Sequence, residues 1–113
     1  MALAPLARIV QHLVPMKILA LERQLPGIPK GAYEPHLRAE AVRAWELYQA
    51  GVIRELYFRT DSESAVLVLE CAGADEARRA LEKLPLLEKG LIAFDLIPLR
   101  AYPGFGRLFA GAD

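Results

Sequence analysis

Three observations predict an α+β domain in which helices cover one face of an antiparallel sheet. Strand-length apolar segments alternate with helix-period stripes. The segment Ala65 to Ala72 (AVLVLECA) carries apolar residues on both of its alternating faces. Pro98 stands inside the last strand-like segment, and a residue that cannot donate a ladder hydrogen bond belongs at a sheet edge or a break. An antiparallel sheet with helices on one side ordinarily shows polar residues on the other. The two apolar faces of AVLVLECA therefore call for a second cover, and a partner subunit supplies one.

Leu3, Leu6, Ala7, Val10, Leu13 and Val14 fall at helical spacing, with Pro5 in a first turn and Pro15 as a stop, which predicts a short amphipathic helix. Met16 to Gln24 (MKILALERQ) reads as the first strand, and residues 1–15 as an extension before the domain proper. Residues 25–35 (LPGIPKGAYEP) hold three prolines and two glycines and describe a loop of restricted shape. From His36 to Ala50, the residues Leu37, Ala41, Ala44, Trp45 and Tyr48 form one apolar stripe, and Gly51 stops the helix.

Val52 to Thr60 reads as a second strand, Asp61 to Glu63 as a turn, and Ser64 to Ala72 as a third strand in a hairpin with the second. Asp75 is placed to cap a second helix with Ala77, Ala80, Leu81 and Leu84 as its buried stripe, closed by Pro85. Leu91 to Tyr102 completes the set as a fourth strand. The order strand, helix, strand, strand, helix, strand is that of the ferredoxin-like βαββαβ unit, a four-stranded antiparallel sheet with two helices on one face.

With 113 residues the chain makes one domain, large enough for a core without disulfides or metal. Its hydrophobic fraction of 54% leaves apolar area for an interface. Fourteen basic and fourteen acidic residues cancel and are interspersed, so no electrostatic footprint points to nucleic acid or an anionic membrane. The third strand also lacks the stacking aromatics of an RNA-binding module. No apolar segment approaches the ~18 residues that span a bilayer. Residues 1–14 lack the pattern of a secretory signal, so a cytoplasmic location is expected. The one cysteine, Cys71, lies in the apolar strand and reads as core filler. No metal-ligand spacing or phosphate-binding loop occurs, and no cofactor is expected.

The wording Leu84-Pro85-Leu86 followed by Asp95-Leu96-Ile97-Pro98-Leu99, with Glu46-Leu47 and Ala50-Gly51 closing the first helix, resembles the muconolactone isomerase family of the dimeric α+β barrel superfamily. The resemblance covers roughly residues 16–103; residues 1–15 and the tail 104–113 lie outside it. It implies ferredoxin-like subunits that place their sheets face to face, in a homodimer or higher homo-oligomer. It also implies cofactor-independent isomerisation of a small unsaturated, carboxylated lactone. Two departures set this chain apart: the loop at 25–35 is richer in proline and glycine, and VIRELYFRT differs in its polar and aromatic residues.

A lactone double-bond shift requires a base, a group that returns the proton, and a donor or cation for the developing enolate and the substrate carboxylate. His36 and Glu40, one helical turn apart, are the first candidates for acid and base. On a surface they would be a solvated histidine and a Glu40–Arg43 pair. Glu22, Glu70 and Asp95 are alternative bases if their strand faces coincide, unless Arg23, Arg54, Arg59 or Arg100 neutralises them. Tyr33 and Tyr57 are candidates to line a small-molecule pocket, and Arg54 and Arg59 to hold a carboxylate, with Lys30 as a further cation. Trp45 and Tyr48 lie on the helix stripe, where core packing is the plainer role. The tail AYPGFGRLF carries Phe105, Leu108 and Phe109, which are expected to dock on a neighbouring subunit or over the cavity mouth. Rival readings are a noncatalytic ligand-binding or regulatory dimer, and a cofactor-free monooxygenase or haem-related enzyme of the same superfamily.

Overall fold

The computed structural model describes residues 15–110, so the helix expected before Met16 lies outside the described residues. The elements are β1 (Met16–Gln24), α1 (Leu37–Gln49), β2 (Ile53–Phe58), β3 (Ala65–Cys71), α2 (Ala74–Leu81), α3 (Pro85–Glu88) and β4 (Ile92–Leu99). Short 3₁₀ turns at Lys30–Ala32 and Glu34–His36 shape the proline-rich loop, and another spans Gly104–Leu108. The strands form one antiparallel sheet in the order β2-β3-β1-β4, which puts β4 and its Pro98 at an edge. This is an α+β fold compatible with the ferredoxin-like arrangement.

One row across the sheet runs Ile53, Leu69, Ile18, Pro98. Ile18, Ala20, Leu67 and Leu69 face the helices and pack with Leu47, Leu81 and Leu84, all of them at most 5% exposed. Each Ile or Leu among them withdraws apolar area from water worth about 1.5–3 kcal/mol. Ala77, Ala80, Leu81 and Leu84 form the buried stripe expected for α2 and the turn after it. Cys71 is a free, buried thiol whose pKa burial pushes up, as befits core filler.

The structure corrects three details of the sequence reading. The first concerns α1: Trp45 and Tyr48 are 57% and 52% exposed and do not pack in the core. The inward face of α1 is instead Glu40, Ala44 and Leu47, a rotation that directs the Glu40 carboxylate to the backbone N–H of Leu86 at 2.9 Å. The second concerns α2. Gly73, not Asp75, is its N-cap; Asp75 pairs with Arg78, and Glu76 accepts from the N–H of Ala72. Third, α2 ends at Leu81 with Glu82 as its C-cap rather than at Pro85, which instead opens α3, where its missing N–H costs nothing in a first turn.

Both α1 and α3 end in the same device. Val52 N–H bonds Leu47 O and Gly51 N–H bonds Tyr48 O; Leu91 N–H bonds Leu86 O and Gly90 N–H bonds Leu87 O. Gly51 and Gly90 take φ of +81° and +74°, the left-handed conformation this motif requires.

The face of the sheet turned away from the helices is apolar at its centre. Leu19, Leu21, Val66 and Val68 are half-buried there, and Ile97 and Leu99 are exposed beside them. Ion pairs flank this patch, Arg23–Asp95 at 2.9 Å towards one end and Arg54–Glu70 at 3.3 Å towards the other. At β2 the register shifts between Ile53 and Glu55, so Arg54 is the extra residue of a bulge. The bulge sends Leu56 and Phe58 to the helix side and Tyr57 to the open face.

Replacing Gly51 by alanine forces a Cβ into the left-handed region, while the space around it is ordinary, with Arg54 Nη1 at 3.6 Å. The expected loss is about 1–2 kcal/mol of stability, measured by urea denaturation.

Candidate functional site

Two glutamates point between the layers, near enough for the charge of one to be felt by the other. Glu22 lies on the helix-facing side of β1, one step beyond Ala20, and its Oε1 accepts the N–H of Ala65 at 2.7 Å. Glu40 reaches down from α1 to the N–H of Leu86. Each bond satisfies a backbone donor at the start of an element: the first residue of β3 and the first turn of α3. Both carboxyls are half-buried, and desolvation pushes both pKa values above the usual carboxylate range. The backbone hydrogen bonds oppose that rise, and the charge of Glu22 adds to it at Glu40.

His36 immediately precedes α1 and is half-buried, but among the described residues no hydrogen bond joins it to Glu40. Tyr33, also half-buried, donates its hydroxyl to the carbonyl of Leu91 at 3.5 Å, tying the proline-rich loop to the start of β4. The pair Glu22–Glu40 thus sits at the sheet end where β1 finishes and β3 and β4 begin, below the first turn of α1.

The remaining candidates stand elsewhere. Arg54 pairs with Glu70 on the edge bulge, and Tyr57 donates to Glu55 at 2.7 Å, which raises the phenol pKa. Arg54 and Tyr57 line a shallow groove of about 580 Å³ between α1 and β2, walled by Trp45, Tyr48 and Leu56. Arg59 grips Asp61 with two hydrogen bonds, of 2.8 and 2.6 Å, which clamp the β2–β3 turn and lower the Asp61 pKa. Lys30 opens the first 3₁₀ turn of the loop. The three carboxylates of the strands do not share a face: Glu22 looks to the helices, whereas Glu70 and Asp95 look outward and are paired with Arg54 and Arg23. Arg43 pairs with Glu46 rather than with Glu40, which has turned inward.

The partnership of Glu22 with Glu40 is the feature that separate readings of strand and helix could not supply. Its one sequence signal is a glutamate that continues the Ile18, Ala20 face of a buried strand. No group of three or more His, Cys, Asp or Glu among the described residues is arranged to hold a metal ion. No described helix is long and apolar enough to cross a membrane. In comparisons with known proteins, no family model and no curated protein matches the chain. Fold and site together therefore define the class: a small α+β domain with an acidic pair between its helix layer and an open-faced sheet.

The raised carboxyls make stability depend on pH with a definite sign. Above the ordinary value of 4.5, the unfolded chain has released protons that the folded chain still holds. Stability relative to a Glu22→Gln/Glu40→Gln variant is therefore greatest below 4.5 and declines as pH rises through the folded values. Parallel urea titrations of both proteins from pH 4 to pH 8 check this, and the difference should fall monotonically.

Proposed function

We propose that the chain works as a homodimer joined through the open sheet face, and that it catalyses proton transfer within a small unsaturated, carboxylated lactone without a cofactor. The observation that carries the chemistry is the Glu22–Glu40 pair with its raised pKa values. Carboxylates tuned upward are stronger bases at neutral pH, and a carboxylate that has taken a proton can return it to another carbon of the same substrate. In this reading Glu40 takes the proton and gives it back at the new carbon, with burial first and the charge of Glu22 second keeping its affinity for a proton high, while His36, close to Glu40 in the chain, borders the same site. Tyr33 borders the same end of the sheet and offers a hydroxyl to the developing enolate. The resemblance of Leu84-Pro85-Leu86 and Asp95 to Leu99 to the muconolactone isomerase family supports the lactone as substrate class.

The dimer rests on the second apolar face. Leu19, Leu21, Val66, Val68, Ile97 and Leu99 form a continuous patch that the described helices leave uncovered. A self-complementary patch of this kind suits a two-fold interface, and the flanking Arg23–Asp95 and Arg54–Glu70 pairs give it a polar rim.

A noncatalytic binding dimer has one observation in its favour: each glutamate already accepts a backbone N–H, so each also has a structural role. Turnover and binding of the same unsaturated lactone separate the two readings. Under the catalytic reading Glu40→Gln lowers kcat by about 10²–10⁴-fold, while calorimetric affinity for the lactone stays near that of the parent. Binding without any turnover in the parent protein would establish the alternative.

A further inference from the structure

We infer that the C-terminal arm, Arg100–Ala110, crosses to a second copy of this chain and covers the aromatic groove between that copy's α1 and β2. The inference rests on the face-to-face pairing of copies proposed above and names what else that pairing brings together.

The arm is shaped but uncovered. Tyr102, Phe105, Leu108 and Phe109 are 65–84% exposed, an apolar load that a solvated tail has no use for. Its hydrogen bonds close on itself, from Gly106 to Pro103 and from Phe109 and Ala110 to Gly106. The ring of Tyr102 lies so close over Gly104 that a Cβ there would stand 2.0 Å from it, and Phe105 meets Tyr102 edge-on at 5.1 Å. Glycine at 104 thus permits a compact aromatic hook whose outer surface is apolar.

The groove is the matching feature. Trp45 and Tyr48 stack at 5.6 Å with more than half of each side chain exposed, and Leu56 stands 49% exposed across from them. If each apolar side chain of the hook and groove hides roughly 100 Å² or more on docking, two symmetric arms add on the order of 1,000–1,500 Å², comparable to a whole standard interface.

Topology says whose groove the arm meets. β4 and β2 are the two edges of the sheet, so the arm starts about 14 Å from its own groove, three strand spacings away. Ile53 and Pro98 belong to one row, so the arm leaves β4 at the end where β2 begins. A two-fold axis parallel to the strands, lying between two open faces, lays β4 of one copy over β2 of the other with these ends aligned. The arm of each copy then emerges next to the β2 edge of the other, and reaching round that edge brings it to the groove of Trp45 and Tyr48.

Trp45 is the only tryptophan, so its emission reports the groove directly. The full-length protein and a full-length Phe105→Ser/Phe109→Ser variant are compared by fluorescence and sedimentation across a dilution series, with circular dichroism to verify folding. The expected result is blue-shifted Trp45 emission in the parent dimer. It shifts red, with acrylamide quenching rising several-fold, both in the variant and when the parent is diluted through dissociation. Identical emission in parent and variant while both sediment as dimers overturns the arm exchange and leaves the dimer standing. Emission that is blue-shifted but unchanged by dissociation places the arm on its own chain and likewise overturns it. A parent that stays a single chain at every concentration overturns the pairing and the exchange together.

Discussion

The constraint on which the structure depends is a sheet with two apolar faces and, among the described residues, helices for only one of them. Along β3 the alternation Ala65, Leu67, Leu69, Cys71 goes to the helix layer, leaving Val66 and Val68 for the other side. Cross-strand pairing multiplies this single choice. Val66 and Val68 oppose Leu21 and Leu19 on β1, which in turn oppose Asp95 and Ile97 on β4. A slip of one residue would exchange the faces of a strand, so the register that builds the core also fixes what is offered outward.

Most of the fold was legible in the residues because the signals were local and periodic. β1 runs over Met16–Gln24 as its alternation predicts, and Gly51 stops α1 because the motif there demands a left-handed residue. The orientation of α1 was not legible. The stripe of Leu37, Ala41, Ala44, Trp45 and Tyr48 reads as the apolar one, yet the helix turns Glu40 inward, where its carboxylate satisfies the otherwise orphaned N–H of Leu86. That bond joins residues 46 apart in the sequence, and periodicity carries no information about it. The same holds at β2, where the bulge at Arg54 breaks the alternation and decides which side Leu56 and Tyr57 take.

The candidate site was legible only in part. His36 and Glu40 were visible as neighbours near the start of a helix, and Glu22 as a charged residue on a buried strand face, but what Glu40 binds is the backbone N–H of Leu86, with the charge of Glu22 near enough to be felt. Burial there costs each carboxylate its hydration, and the backbone N–H groups return only part of it, so the protonated forms are favoured. The two glutamates thus serve two ends: they tie α1 to α3 and β1 to β3, and they hold protons more tightly than solvated carboxylates do. The exposed aromatics follow from the same rotation of α1, since turning Glu40 inward turns Trp45 outward.

The central claim, that the uncovered face belongs against another copy of itself, is tested most directly by isotope-filtered NOE spectroscopy on a mixture of ¹³C-labelled and unlabelled protein at concentrations of about 0.5 mM, well above the micromolar affinities of weak complexes. The account predicts intermolecular cross-peaks among the methyl groups of Leu19, Leu21, Val66 and Val68. A spectrum with no such cross-peaks, from a protein tumbling as a single chain, would contradict it.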